Sequence, residues 1–249
     1  MAATPPFGAP EDVYEAWVRE ELRCWRAEVL KPPGLASRAA RGVQQRVNRI
    51  IPEKVHAAVT RVIEQMTRGI LTGSHAVTAR PLSGVPLSER DRRALAAIAS
   101  YRTAAAAEGG VAGAGGFWLA VADFPALIAI KIKLLFDLMA IYGRSGEDFA
   151  ERLYLLHIFE LAFSSADHRA QVFHTLEDWD RREHPSHLDG FNWRSFQQEY
   201  RDYIDLAKMA QLIPLIGAPV GAVVNWRLTE RVGHTAMNAY RMRWLAQGE

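Results

Sequence analysis

The sequence predicts an all-α protein, a single compact multi-helix domain of about eight or nine helices built around one central apolar helix. Three observations carry this reading. Apolar residues recur at spacings of three and four along most of the chain, the signature of helices with one buried face. No segment alternates strictly between apolar and polar residues over any length, as a half-buried strand would. And residues 117–143, FWLAVADFPALIAIKIKLLFDLMAIYG, form a mostly apolar helical run with only four charges set into it: Asp123, Lys131, Lys133 and Asp137. With 49% hydrophobic and 23% charged residues in 249, the composition is that of an ordinary globular chain with a sizeable core.

The elements follow in order. After a Pro-rich start, 11–30 reads as an amphipathic helix with acids in its first turn, where the helix dipole favours them, and Lys31-Pro32-Pro33-Gly34 ends it. This start, 1–34, is expected to be an N-terminal helical extension to a domain spanning 35–249. Residues 35–50 are basic and moderately amphipathic. Pro52 then opens a stronger helix with Val55, Val59, Val62, Met66 and Ile70 in register. Residues 73–86 read as a loop. Ser88 to Asp91 resembles a capping box with Asp in place of Glu, opening an Ala-rich helix to about Ala107. A Gly-rich loop, 108–116, leads into the central run, where Asp123 is expected to cap a helix over 124–142 and Gly143 to stop it. Further helices are expected over 147–163, 167–182 and 192–212. The segment 213–221, with two prolines and two glycines, breaks the pattern before a long final helix over 220–246.

Charge is unevenly placed. Seven basic residues between Arg38 and Arg68 face only Glu53 and Glu64, while thirteen acids between Glu147 and Asp205 face six arginines. A polarised surface follows, and the basic stretch could face anionic lipid. The formal net charge of +2 is too small to imply nucleic acid, and no nucleic-acid motif is present. Cys24 is the only cysteine, which excludes an intrachain disulfide and fits a reducing, cytoplasmic compartment. No signal peptide is visible at the N-terminus. Residues 109–130 carry one charge in 22 residues, long enough to span a bilayer in principle, but glycines, Pro125 and two following lysines argue for a buried helix instead.

The candidate site lies on the central helix. At about 100° per residue, Asp123, Lys133 and Asp137 share an arc of about 80°, with Lys131 on the other side of Asp123. Read as a brace, Asp123 caps the helix, Lys133 pairs with Asp137 four residues on, and Lys131 snorkels outward. Read as a site, the two lysines bind an anionic head group while apolar walls hold its tail. Near the C-terminus, Gly217 and Gly221 would allow close helix approach, and Asn225 and Arg227 could satisfy Asp123 or Asp137 across a helix interface. The ligand-binding candidates are therefore Asp123, Lys131, Lys133, Asp137, Asn225 and Arg227.

No catalytic signature accompanies them. The Gly-rich run lacks the Lys-Ser/Thr of a P-loop, there is no Gly-x-Ser-x-Gly elbow, and Cys24 has no evident activating partner. Glu53-x-x-His56 occurs once where a di-iron bundle needs the motif twice, and the His184/His187 loop beside Glu183 and Asp189 reads as a solvated turn. No metal or cofactor is expected. An alternative reading, a hydrolase or transferase acting on a lipid-like substrate, would use Asp123 or Asp137 as base.

Asp123-Phe-Pro, Lys131, Asp137 and Tyr142-Gly143, together with Ile213-Pro, Gly217, Gly221 and Asn225-Trp-Arg227, resemble the bacterial EcsC family over about 35–243. The resemblance implies association with transport, secretion or the membrane, and it supplies no catalytic residues to carry over. The loop 183–191 matches no family feature. The expectation is thus a non-enzymatic helical protein, cytoplasmic or peripheral to the inner face of the membrane, that binds lipid or another hydrophobic ligand. Its partners would be an anionic membrane surface or a membrane transport component.

Overall fold

The computed structural model describes residues 5–32, 53–72, 80–114, 116–164, 166–187 and 217–248, apart from the side chains of 53–56, 58–59, 111–123, 166–167 and 217–218. It contains seven α-helices among the described residues: α1 Glu11–Val29, α2 Glu53–Thr72, α3 Leu87–Ala114, α4 Gly116–Ile141, α5 Phe149–Phe163, α6 Ala166–Glu177 and α7 Gly217–Gln247, with a 3₁₀ turn at Trp179–Arg181. There is no β-strand among them. The expected count of eight or nine is slightly high for these residues. Two of the expected helices, 35–50 and 192–212, lie outside the described residues, as do 213–216 of the breaker segment; its other five residues, 217–221, are already the first turn of α7, so the break expected there is corrected.

Three long helices form the centre. Tyr101 of α3 meets Asp137 of α4, and Asp91 meets Tyr142, so α3 and α4 run antiparallel. Asp91 also meets Arg241 of α7, while Gly109 of α3 lies against Gly221 and Asn225 of α7, so α3 and α7 are antiparallel too. It follows that α4 and α7 run parallel, as their contacts at Lys131–Asn225 and Tyr142–Tyr240 require. The N-terminal parts of α4 and α7 and the C-terminal part of α3 therefore share one end of the molecule. Around this centre, α2 packs on α4 and α5, α6 packs on α5, and α1 lies against α3, α6 and α7.

Two expectations about local structure are corrected. The Gly-rich segment is helix rather than loop: α3 runs through Gly109 and Gly110 to Ala114. Nor does the central helix begin at an Asp123 cap; α4 starts at Gly116 and carries Pro125 inside it. The apolar run 109–130 is consequently shared by two antiparallel helices. No helix is long and apolar enough to cross a membrane among the described residues.

The capping-box reading of Ser88 and Asp91 also changes. Glu11 of α1 serves the α3 N-terminus, accepting from the Ser88 backbone N–H (3.1 Å) and hydroxyl (2.7 Å). Gly143 stops α4 in a Schellman arrangement at φ +83°: its N–H donates to Ala140 (3.0 Å) and that of Arg144 to Met139 (3.0 Å). Asp148 caps α5, accepting from the Ala150 N–H at 2.9 Å.

Why glycine sits in α3 is a packing matter. A Cβ at Gly109 would lie 2.6 Å from Asn225 Nδ2 and 2.7 Å from the Gly221 carbonyl, both on α7. Helix propensity favours alanine there by about 1 kcal/mol, but the backbone contact leaves no room for it. Gly109→Ala is expected to destabilise the protein by about 1–3 kcal/mol, read as a lower denaturant midpoint at unchanged slope. An unchanged or raised midpoint would contradict the close approach.

Candidate functional site

Lys131 is fully buried on α4, and Asn225 is fully buried opposite it on α7. The lysine amine donates to the Leu127 carbonyl (3.1 Å) and to Asn225 Oδ1 (3.4 Å), and the Asn225 amide donates to the Gly221 carbonyl (3.1 Å). The acceptors that hold this amine are neutral. Burial pushes its pKa down from 10.5 to about 7, because the charged form is costly in an apolar surround and no carboxylate among the described side chains meets it. The expectation that Lys131 snorkels outward is therefore corrected: its stem and amine both point into the α4–α7 seam.

The other candidates separate from this pair. Lys133 points to the surface and pairs with Asp137 four residues on at 2.8 Å, as the brace reading expects. Asp137 also accepts from the Tyr101 hydroxyl of α3 at 2.5 Å. Burial, helped by that hydrogen bond and the Asp137 charge, holds the Tyr101 hydroxyl protonated to well above its ordinary range. Neither Asn225 nor Arg227 reaches Asp137; Asn225 serves Lys131, and Arg227 is exposed on α7. The Asp123 side chain lies outside the described residues. Asp137 is thus held by a tyrosine on one oxygen and a lysine on the other.

The sequence reading missed a second polar cluster at the opposite end of the central helices. Asp91 is fully buried and accepts from Arg241 Nε (2.9 Å), from the Tyr14 hydroxyl (2.8 Å) and from the Tyr142 hydroxyl. It thereby ties α1, α3, the end of α4 and α7 together. Burial raises the Asp91 pKa against the pull of Arg241 and the two hydroxyls. Beside it, Arg243 grips both oxygens of Glu151 at 2.9 Å and reaches Asp180 at 3.0 Å. The only sequence signal for Asp91 was an acid in the first turn of a helix, which reads equally well as a cap.

Histidines form no metal site among the described residues, where no group of three suitable ligands occurs. His184 is stacked on Trp179 at 3.8 Å and lies 2.8 Å from its carbonyl oxygen. Glu160 sits between His157 and His168, each 2.9 Å away. His56 and Asp189 lie outside the described side chains.

A model of the EcsC protein family matches residues 17–245. The chain belongs to the EcsC family. The match begins within α1, so most of that helix falls inside the family's extent. Among curated proteins this EcsC-family chain is similar to Protein EcsC of Bacillus subtilis (strain 168), 42% identical over 229 residues that cover 92% of the chain and 95% of the relative. It is also similar to the uncharacterized protein YdbA of the same organism, 21% identical over 92% of the chain and 89% of that protein. No solved structure matches the chain.

Proposed function

We propose that this EcsC-family protein attaches peripherally and reversibly to anionic lipid surfaces through the end of the molecule where α4 and α7 begin. The observation that carries this reading is a pair of exposed helical strips. On α7, Val220 and Val223 are 45% and 50% exposed, and Arg227 is exposed one turn further on. On α4, Pro125, Ala126 and Ala129 are exposed, and Lys133 follows one turn later. Because α4 and α7 run parallel, both strips lead with apolar residues and follow with a cation, in the same direction. Such an arrangement suits apolar tips at the acyl boundary and cations at the head groups.

Magnitudes define the kind of attachment. Burying two half-exposed valines contributes roughly 3 kcal/mol, and Arg227 near an anionic surface roughly 1 kcal/mol more, Lys133 being already paired with Asp137. The sum, about 4 kcal/mol, corresponds to weak binding near the millimolar range. Attachment at these strips is therefore reversible and salt-sensitive, unlike insertion of a spanning helix.

Co-sedimentation with phospholipid vesicles tests the reading. The protein is expected to pellet with anionic vesicles, to be released by high salt, and to bind neutral vesicles poorly. A Val220→Asp/Val223→Asp variant is expected to stay in the supernatant while keeping its helical circular dichroism. Equal pelleting of the variant and the parent protein would overturn the assignment of this end.

A further inference from the structure

At the opposite end of the central helices, a cavity of about 240 Å³ opens between the α4–α5 turn and the last turns of α7. Arg90, Gly143, Arg144, Tyr240, Trp244 and Gln247 line it, and among the described residues no carboxylate does. Gly143 is required at its floor, since a Cβ there would lie 2.8 Å from the Leu82 carbonyl and 3.2 Å from Arg90 Nη1.

Among the described residues, the arginines of this region are unequally matched. Arg241 is matched by Asp91, and Arg243 by Glu151 and Asp180. Arg90 is almost fully buried, stacks on Trp244 at 4.7 Å and donates to the Val85, Ile141 and Leu82 carbonyls, which are neutral. Arg144 lies 3.7 Å from Glu151, whose two oxygens Arg243 already holds. Among the described residues, Arg90 and Arg144, the two arginines on the cavity, are thus the ones that no carboxylate holds by a hydrogen bond.

We infer that this cavity is a binding site for a small oxyanion of the phosphate class, held by the Arg144 and Arg90 guanidiniums. Among the described residues, every ionisable side chain lining it is a cation or a protonated phenol, and it has room for a phosphate group. The phosphate could arrive as a soluble ion or ester, or as a lipid head group. The site lies away from the exposed valine strips and does not depend on the lipid-attachment reading.

Isothermal titration of the full chain with inorganic phosphate, against chloride at matched ionic strength, tests this. Saturable binding is expected, weakened about tenfold by Arg144→Gln and less by Arg144→Lys, since a charged donor is replaced by a neutral one in the first case only. Displacement by glycerol phosphate but not by phosphatidic acid vesicles supports a soluble ligand; displacement by the vesicles supports a head group. The absence of saturable phosphate binding, or binding unaltered by Arg144→Gln, would overturn the inference. Vesicle attachment through Val220 and Val223 is expected to survive Arg144→Gln, which separates the two proposals.

Discussion

Lys131→Met is expected to make the protein more stable near neutral pH, by roughly 2–4 kcal/mol. The lysine's pKa is depressed by burial from 10.5 in the unfolded chain to about 7 in the folded one. Between those values the unfolded state holds a proton that the folded state lacks. Stability therefore rises with pH across the window, and the lysine's contribution, complete above the unfolded pKa, is lost as pH falls towards about 7. Methionine fills a similar volume, carries no proton and gives up only the hydrogen bonds to Leu127 and Asn225. Urea unfolding of both proteins at about pH 7 and about pH 9 reads the effect. The parent is expected to gain more stability than the variant over that interval; a variant less stable than the parent at both pH values would show that the amine is favourably paired.

Asp91→Ala is expected to have the opposite effect, a loss of about 3–5 kcal/mol. It would leave the buried Arg241 guanidinium without its carboxylate and deprive the Tyr14 and Tyr142 hydroxyls of their acceptor. Replacing both ions together, as Asp91→Ala/Arg241→Met, is expected to recover part of the loss, because no lone charge then stays buried. A double-mutant cycle from denaturant unfolding measures the coupling. By contrast Lys133→Ala, at an exposed pair, is expected to change stability by no more than about 0.5 kcal/mol. A cost for Asp91→Ala as small as that would mean that Asp91 does not join the four helices.

Much of the fold was legible because helical periodicity is a local property. The spacing of apolar residues placed α2, α5 and α7 within a few residues, and Gly143 stopped α4 where a left-handed cap was expected. Residues 108–116 were misread because glycine ordinarily breaks helices. Here Gly109 is needed for contact with α7, and tertiary packing overrides propensity. The Asp123 cap failed for a related reason, since Pro125 is tolerated inside an otherwise apolar helix.

The site was legible in kind but not in direction. A lysine in so apolar a stretch had to pair, escape or shift its pKa, and Lys131 does the last. Which way it faces depends on where α7 passes, and Asn225 lies 94 residues away. Asp91 and Arg241 are 150 residues apart, and each alone looks like an ordinary charge on a helix. Pairings of that range are set by how helices pack, which residue spacing within one helix does not encode.

The lipid-attachment reading assigns one end of the molecule to the membrane, and a depth measurement tests that most directly. Nitroxide labels placed singly at Val223 and at Ala246, in a Cys24→Ser background because Cys24 is exposed, would sit at opposite ends of α7. With anionic vesicles, the label at 223 is expected to become accessible to oxygen and shielded from a water-soluble relaxant, while the label at 246 stays in water. Equal solvent exposure of both labels on vesicle-bound protein, or immersion of 246 alone, would contradict the account.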